Sequence, residues 1–540
     1  MKTDILIIGG GGAAARAAIE CRDKNVIIAV KGLFGKSGCT VMAEGGYNAV
    51  FNPKDSFKKH FYDTVKGGGF INNPKLVEIL VKNSPKELLN LEKFGALFDR
   101  NEDGFIAQRP FGGQSFNRTC YCGDRTGHEI MRGLMEYISK FERIKILEEV
   151  MAIKLIVKDN RCYGAIFFDL KTGEVFPIFA KATILATGGA GQLYPITSNP
   201  IQKTGDGFAI AYNEGAELID MEMVQFHPTG MVGTGILVTE AVRGEGGILY
   251  NKNKERFMTR YDKERMELST RDVVARAIYR EIQEGRGVNG GVYLDVSHLP
   301  NEIIEKKLET MLKQFLRVGI DIRKEPMIVS PTAHHFMGGL RINEKCETNI
   351  IGLFACGEVT GGVHGANRLG GNALADTQVF GAIAGKSAKE FVENHDFENI
   401  SVEEDIAKIL EEINGLGGCL NIYNLIDKLK KVMWNYVSII RNEEGLKKAL
   451  KEVEEIEKNI TDVKVNGIID LQKYFELKNM VVVAKLVTKS ALYREESRGA
   501  HYREDFPETV EEWRGNVIVK GKKLWFERLD YDVDEYLKNL

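Results

Sequence analysis

Residues 356–376 read CGEVTGGVHGANRLGGNALAD and gather Glu358, His364, Arg368 and six glycines into one short stretch. Core packing has little use for that mixture. The preceding run Ile351-Gly352-Leu353-Phe354-Ala355 has the apolar character of a short buried strand, and the small-residue stretch from Ala373 onward reads as a helix. Between them glycine lets the chain bend sharply and a ligand approach main chain, because it tolerates φ > 0 and carries no Cβ. Backbone N–H groups at the helix start can meet an electron-rich ligand atom, with Glu358 placed for a hydroxyl and Arg368 for an anion. Other segments combine glycine or proline with a cation or an imidazole: QFHPTG from Gln225, TEAVRGEGG from Thr239, STRD from Ser269 and PTAHHFMGG from Pro331. They add His227, Thr239, Glu240, Arg243, Arg271 and His334 to His364 and Arg368. Arginine forks onto carboxylate bidentately, and histidine and threonine add directional donors, so the set suits a small dianion. Taken singly, an arginine is usually a surface ion pair and a histidine a structural donor; only the combination points to chemistry.

The N-terminus supplies a second anchor. In KTDILIIGGGGAAARAAIE the run Ile5–Ile8 is a buried parallel strand and the alanine-rich stretch from Ala13 a helix. The turn between them is Gly9-x-Gly11-x-x-Ala14. Its first glycine makes the turn, its second clears room for a pyrophosphate, and its third position needs a small residue for helix–strand packing. With both flanks correct this is a dinucleotide signal. Position 30, at the end of a second strand Val26–Val30, is valine where an acid often grips a ribose, and Lys31 follows, so NAD is not specified.

At 540 residues the chain exceeds one core and implies two to four domains. A net charge of −3 gives no basic field for nucleic acid or an anionic membrane. No apolar run of about eighteen residues occurs, and the N-terminus enters a strand at once, which predicts a soluble cytoplasmic protein without direct membrane insertion. Cysteines at 21, 39, 120, 122, 162, 346, 356 and 419 lack the spacing of a disulfide framework or of a metal or iron–sulfur ligand set. Strand-plus-glycine signals recur at 181–191 and 351–376, so distant pieces of chain complete one doubly wound sheet. The expected organisation is α/β: a discontinuous Rossmann-like dinucleotide-binding domain from 1–229 and 341–395, an inserted α+β domain from 230–340, a helical domain from 396–505 and a C-terminal segment from 506–540 whose fold the pattern does not specify.

These motifs, together with TVMAEGG, DSFKKHFYDT, ATGGAG, TGDG and ESRGAH at Glu496–His501, occur in an order that closely resembles the flavoprotein subunit of fumarate reductases and succinate dehydrogenases, with L-aspartate oxidases as relatives. The resemblance runs from Asp4 past His501. It implies FAD as cofactor, which makes 1–229 with 341–395 an FAD-binding domain and 230–340 a capping domain, with fumarate and succinate as substrate and product and electrons supplied by an iron–sulfur partner subunit. In such enzymes a hydride from flavin N5 goes to one alkene carbon while an arginine protonates the other. Arg271 occupies that donor's place, with Glu240 and Arg243 as the relay that returns its proton. His334 and Arg368 would hold one substrate carboxylate, His227 and Thr239 the other. For the cofactor the resemblance implies Gly9, Gly11, Gly12 and Ala13 at the pyrophosphate, Lys31 near the adenosine ribose, the segment Thr40–Gly46 beside the isoalloxazine, and contacts from Asp206, Glu358 and the backbone of Ala373 and Leu374.

Departures from the family pattern refine this. Membrane-bound members attach FAD through a histidine in a His-Thr-Val run; here the run is Cys39-Thr40-Val41, which implies non-covalent FAD, a thioether at Cys39 being the alternative. Glu44, followed by Gly45 and Gly46, stands where dehydrogenases tend to carry glutamine. A carboxylate beside a flavin disfavours its anionic reduced form and pushes electrons outward, favouring fumarate reduction over the succinate dehydrogenase direction. An L-aspartate oxidase making iminoaspartate is the other alternative, and a flavin-binding scaffold that has lost catalysis is opposed by the intact donor and carboxylate positions.

Overall fold

The computed structural model describes residues 1–540, the side chain of residue 539 apart. Its central sheet is built from widely separated segments. Strands Ile144–Glu148, Val26–Val30, Lys2–Ile8 and Val175–Leu185 lie side by side in that order and run parallel, with Ile5 opposite both Val26 and Ala182. Strand Val175–Leu185 changes partner along its length. Its first half pairs antiparallel with Arg161–Asp169, which continues to Val150–Lys158, and its last residues pair parallel with Leu353–Ala355. Ile5–Ile8 and Val26–Val30 are apolar and buried throughout because helices cover both faces of a parallel sheet. The residues immediately after the parallel strands, Gly9, Lys31, Ala186 and Cys356, all border one cavity. Open α/β sheets place ligands there, outside the strands' carboxyl ends.

Two helices start at that cavity. Gly12–Glu20 and Asn372–Glu393 cross at small residues: a Cβ on Gly381 would lie 2.7 Å from the Ala13 carbonyl oxygen, and one on Gly385 2.4 Å from that of Ala17. Backbone meets backbone, which fixes both helix N-termini relative to the sheet.

A second core lies between the strand and helix segments from Val224 to Phe336. A four-stranded antiparallel sheet orders Val224–Met231, Met327–Phe336, Val292–Asp295 and Ile248–Tyr250. Helix Arg271–Gln283 covers it, and Val238, Leu249, Val274, Ile278, Leu294, Phe315 and Val329 fill the interior. The charged stretch Glu302–Arg317 forms two helices, Asn301–Lys307 and Glu309–Arg317, broken at Leu308. Strands Val224–Met231 and Met327–Phe336 are the connections between this unit and the nucleotide-binding core.

Helices Ile422–Val437, Glu443–Asn459 and Ile468–Tyr493 pack on one another through Leu429, Met433, Leu446, Val453, Met480, Ala484 and Val487. The preceding helix Glu403–Asn414 bridges to the central sheet: Ile406 and Ile409 on it pack against Ile156 and Ile166, while its Glu412 accepts from the Tyr474 hydroxyl of helix Ile468–Tyr493 at 2.6 Å. The last residues, left open by the sequence pattern, form a hairpin of Gly515–Lys520 and Lys523–Arg528. It completes a five-stranded sheet through Leu218–Ile219 and Gly339–Arg341 to Thr360–Gly361. A buried ion cluster ties these units: Arg494 reaches Glu222 at 2.6 Å, Glu496 at 3.0 Å and Asp220 at 3.2 Å. From the same region Arg498 donates to the Gly69 carbonyl and the Ala500 N–H to that of Ala366, bracing the loop that carries Arg368. No helix among the described residues is long and apolar enough to cross a membrane.

Candidate active site

One cavity of about 360 Å³ receives nearly every residue singled out in the sequence. Its lining includes Gly9, Gly11, Gly12, Ala13, Lys31, Cys39, Thr40, Glu44, Gly45, Gly46, Asp206, Glu358, Ala373 and Leu374, and also His227, Thr239, Glu240, Arg271, His334 and Arg368. Arg243 stands one layer behind. It donates to the Glu267 carbonyl at 2.7 Å, while its Nε and Nη2 have no protein partner among the described residues.

The glycine-lined part fits a dinucleotide. A Cβ on Gly9, at φ +126°, would lie 2.2 Å from the Ala186 carbonyl oxygen, and one on Gly12 2.9 Å from Thr40 Cγ2. Side chains there would fill the cradle or push the sheet apart. The helix starting at Asn372 is not capped by a side chain, so its N-terminal N–H groups face the cavity as an anion site. Thr40 Oγ1 accepts from the Gly12 N–H at 3.1 Å, which pins the loop to the first turn. Lys31 and Asp206 turn out to hold each other: Lys31 Nζ is 2.9 Å from Asp206 and 2.8 Å from Glu476, and Asp206 also accepts from Thr204 and Asn479. Burial opposes the Lys31 ammonium, yet Asp206 and Glu476 keep its pKa above the ordinary lysine value. Both residues border the cavity as members of one buried ion triad.

The Cys39 thiol is pushed up by burial to about 12, which leaves it protonated and a poor nucleophile. Burial, then Asp124, raises the Glu44 carboxyl well above its usual range, and its contacts are weak: Gln314 donates to Oε1 at 3.3 Å and Oε2 has no partner. Burial therefore disfavours the charge that would distinguish this position from a glutamine. Its charge gives correspondingly little bias to the direction of electron flow.

The cationic end is assembled from five chain segments, those of His227, Glu240, Arg271, His334 and Arg368. Arg271, first residue of helix Arg271–Gln283, meets Glu240 side-on, with Nε at 2.8 Å and Nη2 at 2.7 Å from Oε2. Glu240 Oε1 accepts from the Gly112 N–H at 2.7 Å. Burial opposes this carboxylate, but Arg271 and Arg243 hold its pKa below the usual value. Arg368, from the glycine-rich loop, has its guanidinium pulled down to about 9 by burial and by Arg271. It has no carboxylate at ion-pair distance among the described residues, and its Nε is unpartnered.

His227 and His334 stand on the two connecting strands with ring centroids 5.2 Å apart. Burial first, then Arg271 for both, depress these imidazoles well below the ordinary histidine value, so both rings are neutral at pH 7. His334 Nδ1 is 2.8 Å from Ser198 Oγ, which orients the ring. His227 Nε2 is buried and unpartnered. Thr239 caps the short helix Glu240–Gly244 by accepting from the Ala241 N–H at 3.3 Å, which leaves its hydroxyl hydrogen free to donate. Fixed donors with spare capacity thus face a cavity end, the arrangement that binds a polyanion at low reorganisation cost. His364, singled out with these residues, instead pairs with Asp376 at 2.8 Å and is absent from the lining.

Gln225 and Ser198 were missed as site residues. Gln225 Oε1 accepts from both Arg271 and Arg368. Its signal was available, since it stands two residues before His227 in a strand and such residues share a face. Ser198 lies in an irregular segment and reaches His334 across 136 residues, for which no local pattern exists.

Comparison with known proteins shows the family to which the chain belongs. Residues 4–374 match the FAD binding domain family and residues 426–534 the fumarate reductase flavoprotein C-terminal family. An uncharacterized FAD-dependent oxidoreductase of Methanocaldococcus jannaschii is 92% identical over 533 residues, covering 99% of each chain. One chain of the CoM/CoB fumarate reductase of Methanothermobacter marburgensis is 56% identical, covering 96% of this chain and 97% of its own. FrdA of E. coli quinol fumarate reductase superposes with a TM-score of 0.94 at 33% identity, over 98% of this chain and 97% of that one. The chain is an FAD-dependent oxidoreductase and belongs to the fumarate reductase and succinate dehydrogenase flavoprotein family.

Proposed function

We propose that this protein reduces fumarate to succinate, reversibly, as the flavin-carrying component of an assembly that brings electrons from an iron–sulfur partner. The observation that carries this reading is the convergence of Arg271, Arg368, His227 and His334, from separate segments, on one end of a cavity whose other end is a glycine-lined dinucleotide cradle. The relative from Methanothermobacter marburgensis is named as part of a fumarate reductase. Eight scattered cysteines, all free, make an external electron source the natural one.

Bound FAD supplies a two-electron hydride donor and acceptor. Gly9, Gly11, Gly12 and Ala13 would receive its pyrophosphate, the Ala373 and Leu374 backbone its electron-rich edge, and the Thr40–Gly46 segment its ring system, held without a covalent bond. Arg368 and His334 would hold one substrate carboxylate, and His227 and Thr239 the other. These donors stabilise charge as it develops on the dianion. Arg271 uses three of its N–H groups on Glu240 and Gln225, which leaves others free for the substrate side. It would give a proton to the alkene carbon that does not receive the hydride. Glu240, hydrogen-bonded to Arg271 and under the field of Arg243, would then pass Arg271 a replacement proton, itself taken up by way of Arg243.

An aspartate oxidase would need an acid facing an ammonium group at this end. Glu240 is the carboxylate there, and both its oxygens are occupied by Arg271 and Gly112. The deciding experiment mixes anaerobically reduced, FAD-loaded protein with fumarate, and the oxidised protein with succinate plus an artificial acceptor or with L-aspartate plus oxygen. Flavin reoxidation with formation of succinate is expected. Hydrogen peroxide and iminoaspartate from L-aspartate, without fumarate turnover, would overturn the proposal.

A further inference from the structure

We propose that Gln225 is a positioning residue that yokes Arg271 and Arg368 through one uncharged oxygen, fixing their spacing while leaving the full charge of the pair to attract a dianion. This rests on the dicarboxylate reading above and adds a residue that it does not include.

Gln225 is fully buried, and all its hydrogen-bonding capacity is directed. Oε1 accepts from Arg271 Nη1 at 3.1 Å and from Arg368 Nη2 at 3.0 Å. Nε2 donates to Asn367 Oδ1 at 2.7 Å and to the Arg368 carbonyl at 2.8 Å. The amide orientation is therefore unambiguous: donors surround the oxygen, acceptors the nitrogen. Asn367 in turn donates to Asp272 at 2.8 Å, beside Arg271. One side chain thus links the start of the Arg271–Gln283 helix to the glycine-rich loop of the nucleotide-binding core.

Two buried guanidiniums brought to one acceptor repel each other. A carboxylate is the usual bridge, but it would neutralise part of the field that must attract the substrate. Glu240 already serves Arg271 from its other side, so a second acid would cancel the charge that the Arg271–Arg368 pair has left. The amide oxygen holds both forks and removes no charge. Arg368, left with no protein carboxylate partner among the described residues, keeps its attraction for a ligand carboxylate.

The test uses FAD-loaded protein and reads ligand binding from the perturbation of the oxidised flavin's visible spectrum, with fumarate and its monoamide as probes. In Gln225→Glu the carboxylate pairs with Arg368, and one of its oxygens faces Asn367 Oδ1 and the Arg368 carbonyl without a proton to give. Fumarate should weaken by about 100-fold while the monoamide weakens by less than about tenfold, since a hydrogen bond to a charged group is the interaction exchanged. Gln225→Met keeps the volume and both guanidinium charges but loses the yoke. There both probes should weaken together, with the wild-type preference for the dianion retained and kcat falling while KM rises. Equal weakening of both probes in Gln225→Glu, or fumarate binding within about threefold of wild type, would overturn the proposal. So would loss of the dianion preference in Gln225→Met, a measurement that stands even if the glutamate variant fails to fold. Wild-type protein that binds neither probe would overturn the dicarboxylate reading itself, and this one with it.

Discussion

Replacing Arg271 tests the proton-donor assignment most directly. The side chain donates to Glu240 at 2.8 and 2.7 Å and to Gln225 at 3.1 Å. Arg271→Ala leaves the Glu240 side chain, 1% exposed, without its direct cation. Stripping one partner from a buried pair costs about 3–5 kcal/mol if the other stays ionised. Glu240 can shed part of that cost by taking up a proton, because Arg271 is a main reason its pKa is held down. The variant should therefore fold and bind FAD, whose cradle lies at the other end of the cavity. Removing a positioned general acid costs about 10²–10⁴ in rate, or about 3–5 kcal/mol of barrier. Arg271→Lys keeps a charge on a single nitrogen that cannot span both Glu240 and Gln225, and a misplacement of about 1 Å costs about a hundredfold. The assay is stopped-flow reoxidation of anaerobically reduced protein by fumarate, followed by flavin absorbance, with FAD occupancy measured on the same sample. Reoxidation of Arg271→Ala within about tenfold of wild type, at full occupancy, would refute the assignment.

Ser198→Ala should raise KM for fumarate by about tenfold with a smaller effect on kcat, since the 2.8 Å contact that orients His334 is lost; an unchanged KM would show that the ring needs no such support. Glu44 has a folded-state pKa raised by burial above its unfolded value, so its contribution is full below about pH 4.5 and is lost as pH rises toward the raised value. Glu44→Gln should therefore raise the melting temperature at pH 7 to 8, where the native acid is penalised, and flatten its decline with pH; a lower melting temperature there would contradict the burial argument. Lys31→Met strands Asp206 and Glu476 as neighbouring buried carboxylates and should cost about 3–5 kcal/mol, seen as a lower unfolding midpoint in denaturant and weaker FAD retention. An unaltered midpoint would mean that the triad contributes nothing net.

Local pattern determined a good deal. The strand–glycine–helix turn at Ile8–Gly12, the strand Val26–Val30 and the helix after Gly371 follow from apolar runs bounded by glycine, and those signals act between residues a few positions apart. Residue type alone also nominated His227, Arg271, His334 and Arg368, because few roles besides anion binding use that combination. Tertiary structure decided how they are used. Lys31 and Asp206, read separately as cofactor contacts, are one ion triad completed by Glu476 from a helix of the C-terminal region. Glu44, read as a charge beside the flavin, lies where burial favours its neutral form. The C-terminal hairpin had no recognisable fold until its pairing with Leu218–Ile219 supplied a sheet. Gln225 links Arg271 to Arg368 across 46 and 143 residues of chain. Periodicity reports which face of a strand or helix is buried. Which distant side chain arrives to share an oxygen or a proton is set by how those faces close on one another in space.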